Sequence, residues 1–257
     1  MRLASIIAFC ALAGLPAAAQ TPPVQPAVTT VCNPAKLQGA YAFQLLGITS
    51  IGSEPRPVAS IGRVVFDGSG NASGEVSVNF AGYFLGNPVT GKYEVGADCH
   101  IAFTLQDTSG NWQHFTGALT PDLLSAKFRQ TDAGAAQDGT LQMVAKTCSA
   151  GTLAPHYGFI ISGGTTPMVE GEVPQRISVT GAADPDPAGA LKLTVNGVAG
   201  SGTIAIDSDC IAQMTLALPA GETMVLRGVL VEGGKRILAI VTDAGTTASA
   251  TFTARDH

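Results

Sequence analysis

From Cys32 to the end of the chain, apolar and polar residues alternate with a period of two, and short segments rich in Gly, Asp, Asn and Ser interrupt the alternation. Because successive side chains of a strand point to opposite faces of a sheet, this pattern predicts β-strands with one buried face. The first half of the chain has eight predicted strands: Ala40–Leu46, Val58–Phe66, Gly74–Phe80, Gly91–Val95, Cys99–Gln106, Trp112–Leu119, Leu124–Thr131 and Gly139–Ala145. The second half has eight more: Tyr157–Ser162, Arg176–Gly181, Ala190–Asn196, Gly202–Ile206, Cys210–Ala217, Thr223–Val231, Arg236–Thr242 and Thr247–Ala254.

The predicted strands are joined by short turns such as Asp67–Asn71 (DGSGN), Gly86–Pro88 (GNP) and Asp132–Gly134 (DAG). Links of this length form hairpins, whereas parallel strands need much longer crossovers, so an antiparallel meander is predicted. Closing eight strands into a barrel gives every edge a partner. The alternative is a two-sheet sandwich, but the chain shows no obvious long Greek-key return, so we favour the barrel.

The barrel prediction applies twice, because the sequence repeats itself. GKYEVGADC (Gly91–Cys99) recurs 111 positions later as GTIAIDSDC (Gly202–Cys210), and TDAG (Thr131–Gly134) recurs at the same offset. Upstream, CNPAKLQGAYAF and CSAGTLAPHYGF match at an offset of 116. We therefore predict an all-β protein of two tandem antiparallel eight-stranded β-barrel-like domains that arose by duplication, over residues 32–147 and 148–257.

The residues before Cys32 are predicted to direct export rather than to fold. Arg2, the apolar run Ile6–Leu15 and the small residues Pro16–Ala19 indicate a signal peptide over residues 1–19. The apolar run is too short to span a bilayer. Residues 20–31 are rich in Pro and predict an extended linker. The expected location is periplasmic or extracellular.

The net charge of the chain bears on which classes of partner it can bind. The chain has a net charge of −5, and only 13% of its residues are charged. Nucleic acids and anionic membranes require clustered Lys and Arg, and Lys235–Arg236 is the one adjacent basic pair. The sequence therefore predicts no nucleic-acid partner.

Four cysteines follow the predicted signal peptide, and in an exported protein they favour disulfides. Cys32 matches Cys148 in the repeat, and Cys99 matches Cys210. Of the three pairings that four cysteines allow, Cys32–Cys99 with Cys148–Cys210 is the one that treats both units alike. A metal site is the alternative, but the chain has no CxxC motif.

The sequence predicts no catalytic, cofactor-binding or metal-binding residues. It therefore predicts a protein that is not an enzyme. Sequence motifs of nucleophilic, zinc-dependent and nucleotide-binding sites are absent. Asp67, Ser69 and Asn71 are spaced like the first calcium ligands of an EF-hand loop, but Ala72 and Val78 stand where that loop needs Gly and an acid. Two further sets of residues lack a functional pattern. The histidines His100, His114, His156 and His257 lack the spacing of metal ligands, and the acids Glu75, Glu94 and Asp98 are not paired as a catalytic acid and base.

Two strands of the second unit are apolar on both faces, Met224–Val231 and Ile237–Val241. A strand that is apolar on both sides needs cover on both sides. We expect their outer face to pack on the first unit, or to mediate self-association or contact with a protein partner.

The segments LQGAYAF, GRVVFDGSGN, GKYEVGADC and TDAG resemble a group of exported bacterial all-β proteins with a core pattern LxGxYxF, FDGxGN, GxYxV and DC. The resemblance covers most of the first unit; the second lacks FDGxGN. It implies export and a β-barrel, but it does not point to any particular activity. By strand count each unit also resembles calycin-like or allene-oxide-cyclase-like barrels. This second resemblance is architectural and transfers no residues.

These observations predict a non-enzymatic binding protein for a small apolar ligand or a partner protein. One alternative is a surface or structural interaction module. The other is an isomerase- or cyclase-like barrel enzyme, which would need a titratable group in a barrel mouth.

Overall fold

A computed structural model describes residues 32–51, 54–219 and 221–255, so the predicted signal peptide and linker lie outside the described residues. The first half contains β1 (Gln38–Ile51), β2 (Glu54–Asp67), β3 (Asn71–Phe80), β4 (Tyr83–Val95), β5 (His100–Asp107), β6 (Trp112–Leu119), β7 (Ser125–Gln130) and β8 (Ala135–Met143). The second half contains β9 (Tyr157–Thr165), β10 (Arg176–Pro185), β11 (Ala190–Val195), β12 (Val198–Ile206), β13 (Ile211–Ala217), β14 (Thr223–Val231), β15 (Arg236–Val241) and β16 (Thr246–Ala254). Short 3-10 helices span Pro34–Lys36, Ala150–Thr152 and Glu232–Gly234.

Each half closes into a barrel of eight antiparallel strands. Neighbouring strands pair in sequence order, and the ring is completed by pairing of β1 with β8 and of β9 with β16. The predicted fold class of two tandem barrels is confirmed, and the sandwich alternative is wrong.

The largest difference from the predicted strands is in β4, which begins at Tyr83 rather than Gly91. Gly86–Pro88 lies inside this strand and does not form a turn. The chain reverses instead at Ala81 and Gly82, whose φ values of 49° and 83° are those of a tight two-residue hairpin turn. Asn196–Gly197 makes the same kind of turn between β11 and β12, with φ values of 51° and 79°.

The interior of the first barrel is filled by aromatic side chains. Their ring centroids lie between 4.7 and 6.3 Å apart, in edge-on and stacked contacts. The buried rings are Tyr41, Phe43, Phe66, Tyr93, Phe103, Phe115 and Phe128.

Glycines on the inward face make room for these rings. Phe128 pairs with Gly117 on β6 and with Gly139 on β8. A Cβ atom on Gly139 would lie 2.2 Å from Phe128 Cζ, so no larger residue fits there without displacing the ring. In the second barrel the lack of a side chain at Gly181 leaves space for the Phe159 ring in the same way.

One end of each barrel is closed by hydrogen bonds and a disulfide. Tyr41 Oη donates to the carbonyl of Leu123 at 2.7 Å, and the Tyr157 hydroxyl donates to the carbonyl of Gly234. The structure has the disulfides Cys32–Cys99 and Cys148–Cys210, which is the pairing inferred from the repeat.

The outer apolar face of β14 and β15 packs on the first barrel. The strand registers place Val229, Val231, Leu238 and Ile240 on the outside of the second barrel, yet all four are buried. They share one buried cluster with Ala42, Ala59 and Ile61 of the first barrel. A protein partner or self-association through Met224–Val231 and Ile237–Val241 stays a prediction.

Polar contacts fix how the barrels sit against each other. The Asn79 amide is fully buried and donates to the carbonyls of Val241, at 3.1 Å, and Thr246. Gln44 Nε2 donates to the Ala239 carbonyl at 3.3 Å. A charged pair, Arg227 with Glu75 at 2.8 Å, spans the two barrels.

Candidate binding surface

The turns that follow the odd-numbered strands form one continuous end of the molecule, which we call the loop end. In each barrel these turns lie at the same end because consecutive strands are antiparallel. The two barrels meet there, since the Gly245 N–H donates to the Gly82 carbonyl at 3.0 Å. The loop end is therefore a single surface built by both barrels.

Large apolar side chains are exposed on the loop end. Met168 Sδ lies 3.2 Å from the place that a Cβ on Gly82 would take, so residues of the two barrels adjoin at this turn. The exposed fractions reach 60% for Tyr83 and 76% for Val173. We call the following set the apolar patch: Ile48, Tyr83, Phe84 and Leu85 of the first barrel, with Met168, Val169 and Val173 of the second.

Acidic residues outnumber basic residues on the loop end. The described basic residues closest to these turns in sequence are Arg56, Arg129 and Arg176, fewer than the acids there. The acids in or beside the loop-end turns are Glu54, Asp107, Asp132, Glu170, Glu172, Glu222 and Asp243.

A chain of hydrogen bonds runs from the surface into the mouth of the first barrel. His114 Nδ1 lies 2.7 Å from Asp132 Oδ1, and Gln130 Nε2 donates to Asp132 Oδ2 at 2.8 Å. Gln137 Nε2 in turn donates to Gln130 Oε1 at 2.7 Å. We call these four residues the mouth chain.

The carboxylate of Asp132 sets the direction of every amide in the mouth chain. Because a carboxylate only accepts, Gln130 must turn its NH₂ group to Asp132 and its oxygen to Gln137. Gln137 must then present its own NH₂ group, which leaves Oε1 as the last atom of the chain. Gln137 is 5% exposed, and no described residue donates a hydrogen bond to this oxygen. An unmet buried acceptor costs about 1–3 kcal/mol.

The pKa of Asp132 reflects these contacts. Partial burial favours the neutral acid and would raise the pKa. Hydrogen bonds from the backbone N–H of His114, from Gln130 and from the His114 ring outweigh burial and lower the pKa below its usual value. The carboxylate is therefore held ionised.

The structure does not bring the histidines and acids singled out from the sequence into one site. The three described histidines lie apart, with His100 Nε2 2.6 Å from Thr116 Oγ1 and His156 Nδ1 2.9 Å from Asp184 Oδ1. Among the described residues there is no group of three or more side chains that could hold a metal ion. His257 lies outside the described residues.

The DGSGN segment is a hairpin turn held by Asp67. Its carboxylate accepts hydrogen bonds from the Asn71 side chain and from the backbone N–H groups of Asn71 and Ser69, which lower its pKa. Asp98 accepts from the His100 N–H at 3.1 Å in another turn, and Glu75 pairs with Arg227 of the second barrel.

Sequence reasoning missed the apolar patch and the mouth chain. The run Tyr83–Leu85 is apolar on consecutive positions, and this break in the alternation was the available signal. Gln130 and Gln137 carry no such signal, because an inward-facing polar residue in one strand is visible only once the register is known.

None of the described residues belongs to a helix that is long and apolar enough to cross a membrane.

No protein-family model and no curated protein matches this sequence. Among solved structures, the chain is similar to isotype 1 transferrin-binding protein B of serogroup B Neisseria meningitidis, with a TM-score of 0.32 and 6% identity over 85% of this chain and 75% of that chain. It is also similar to the Myxococcus xanthus hemagglutinin in complex with a mannopentaose, with a TM-score of 0.17 and 12% identity over 84% and 99%. Likeness at this level carries no inference about ligands.

Proposed function

We propose that this chain is an exported, non-enzymatic binding protein that recognises a segment of a partner protein at its loop end. The observation that carries the proposal is the coincidence of the apolar patch and the acidic turns at the loop end. Exposed contiguous apolar area on a folded protein marks interaction sites.

The surface also indicates the chemistry of the partner. Acidic turns around an apolar patch complement a segment that combines Lys or Arg with apolar residues. The exposed apolar side chains of the patch suit aromatic residues of the partner. Trp, Tyr and Arg side chains dominate the energetics of protein interfaces.

Two other functions receive less support. A small apolar ligand inside the first barrel would compete with the seven aromatic rings that fill it. An isomerase- or cyclase-like function would need a free titratable group at the mouth, but the carboxylate of Asp107 accepts from the N–H groups of Ser109 and Asn111, at 2.8 and 3.1 Å. The carboxylate of Asp132 is already hydrogen-bonded to His114 and Gln130 of the mouth chain.

Export is supported by the two disulfides, because such bonds persist in oxidising compartments.

The proposal is tested by selecting displayed 12-residue peptides on the oxidised protein and measuring the affinity of the selected peptides by titration calorimetry. We expect the selected peptides to be enriched in Lys, Arg and aromatic residues. Double substitution of Phe84→Ser and Leu85→Ser should weaken binding at least tenfold, since it removes two apolar contacts of about 1.5–3 kcal/mol each.

Ile160→Ser is the matched control, because Ile160 is 57% exposed on the outer wall of β9. It should leave the affinity unchanged. Selection of acidic peptides, or equal loss in the control variant, would contradict the proposal.

A further inference from the structure

A concave surface lies on the outer wall of the first barrel, over strands β5 to β8. Its volume of about 630 Å³ is within the range of small-molecule sites. We call this surface the wall trough. The outward side chains that line it and matter here are His100, Thr116, Ala118, Lys127, Arg129 and Asp138.

The register of the strands explains the concave shape. Ala118 of β6 pairs with His100 of β5 on one side and with Lys127 of β7 on the other. Two residues earlier on β6, Thr116 pairs with Arg129 of β7. The short side chains of β6 therefore leave a depression between the longer side chains of β5 and β7, which lie two strand spacings or about 10 Å apart.

The two cationic side chains of the trough have no partner in the described part of the chain. Lys127 and Arg129 are both exposed and stand on the same face of β7, with their Cα atoms about 7 Å apart. Neither side chain makes a salt bridge or a hydrogen bond to a described residue, although Arg129 pairs across the strands with Asp138. Both cations are therefore available to a carboxylate of a ligand.

His100 and Thr116 form a hydrogen-bonded pair beside these cations, with His100 Nε2 2.6 Å from Thr116 Oγ1. If the imidazole donates this bond, the Thr116 hydroxyl keeps its hydrogen and His100 Nδ1 is an acceptor. If the hydroxyl donates instead, His100 Nδ1 carries the free hydrogen and Thr116 Oγ1 can still accept. In either neutral tautomer the pair offers one donor and one acceptor, which matches a hydroxyl group of a ligand.

Asp138 is the one acid among the residues that line the trough. Its exposed carboxylate can accept hydrogen bonds from hydroxyl groups, but it repels additional negative charge. The other lining hydroxyl, that of Thr131, already donates to the His114 carbonyl at 3.2 Å. The trough therefore favours a ligand that combines one carboxylate with several hydroxyl groups over a bare anion.

From these observations we infer that the wall trough binds an acidic sugar, that is, a sugar unit that carries one carboxylate. The carboxylate lies between Lys127 and Arg129. The sugar hydroxyls contact Asp138 and the pair of His100 and Thr116. This site lies on the barrel wall and uses none of the residues of the apolar patch.

Four probes separate the two parts of this chemistry: galacturonate, galactose, cyclohexanecarboxylate and inorganic phosphate. Galactose lacks the carboxylate, cyclohexanecarboxylate lacks the hydroxyls, and phosphate lacks the sugar ring. Binding to the isotope-labelled, oxidised protein is followed by protein-observed NMR at constant ionic strength. We expect galacturonate to give saturable shifts of the backbone amides of residues 116–118 and 127–129, and to bind about tenfold more tightly than each other probe.

Replacing both cations, with Lys127→Gln and Arg129→Gln together, should weaken galacturonate binding about tenfold, because each exposed ion pair contributes about threefold. Lys192→Gln, on the exposed face of β11 in the second barrel, is the matched control and should leave binding unchanged. Asp138→Ala should weaken the binding of galacturonate and strengthen that of cyclohexanecarboxylate, since it removes both a hydroxyl acceptor and a repelling charge. Circular dichroism reports that each variant remains folded.

Absence of saturable galacturonate binding would overturn the inference, as would equally tight binding of any of the other three probes. Galacturonate binding that survives the double substitution would also overturn it, and so would shifts confined to residues 81–85 of the loop end. None of these results bears on peptide binding, because the double substitution leaves the apolar patch intact.

Discussion

At the level of single residues, Tyr41 makes the stability of the closed end of the first barrel depend on pH. Burial, with smaller contributions from the nearby Tyr93 and Asp122, raises the pKa of its hydroxyl to about 12. The unfolded chain loses this proton near pH 10, whereas the folded protein keeps it. The hydroxyl therefore contributes stability that is present below pH 10 and is lost as the pH rises through about 12.

Tyr41→Phe should remove this alkaline loss of stability and should lower the free energy of unfolding at pH 7 by about 1 kcal/mol, since the bond to Leu123 disappears. Urea denaturation at pH 7 and pH 11 measures both effects. Tyr83→Phe, on the exposed loop end, should behave like the wild type at both pH values. Equal alkaline losses in wild type and Tyr41→Phe would refute the assignment.

Asp132 gives the opposite pH dependence. Its lowered pKa means that its contribution is fully present above the unfolded value of about 3.9 and is lost as the pH falls below it. Asp132→Asn should make the free energy of unfolding less sensitive to pH between about 5 and 2. Acid titration followed by circular dichroism measures this, and Asp138→Asn on the outer face of β8 serves as the control that should retain the wild-type slope.

At the scale of secondary-structure elements, inward glycines allow aromatic residues to fill a barrel of short strands. Gly139→Ala should destabilise the protein by about 1–3 kcal/mol, because the added methyl group collides with the Phe128 ring. Gly86→Ala is the control, since its Cβ would lie no closer than 3.8 Å to another atom. The difference between their midpoints of urea unfolding measures the effect, and equal midpoints would contradict it.

The sequence was sufficient to predict strands, because alternation follows directly from strand geometry, and it predicted both the strand number and the disulfide pairing. It was weakest where a strand carries residues that usually mark turns. Gly86–Pro88 reads as a turn by composition, yet β4 continues through it because the hairpin at Ala81–Gly82 sets its pairing with β3.

The candidate surface was largely beyond sequence reasoning. Which turns share an end, and which inward positions coincide at one level of a barrel, depend on register and closure. The need for cover on β14 and β15 was predictable from their two apolar faces, but the choice of the first barrel as the cover depends on complementary residues such as Ala42 and Ile61, far away in the chain.

At the scale of the whole molecule, the interface makes two barrels act as one body. Asn79→Ala removes buried hydrogen bonds to the carbonyls of Val241 and Thr246, and we expect it to lower stability by roughly 2–3 kcal/mol. Calorimetry should show the unfolding of the two barrels separating into distinct transitions. Asn87→Ala, in β4 and only partly buried, should leave the transition unchanged. A variant that unfolds like the wild type would mean that the barrels are not coupled through Asn79.

Hydrogen exchange, followed by mass spectrometry with and without a selected peptide, tests most directly whether the two barrels form one binding surface. We expect slower exchange on peptide binding in residues 81–85 of the first barrel and in residues 165–175 of the second barrel, together. The turns at residues 67–71 and 207–209, at the opposite end, should be unaffected. Protection confined to one barrel, or found at the opposite turns, would show that the two barrels do not form one binding surface.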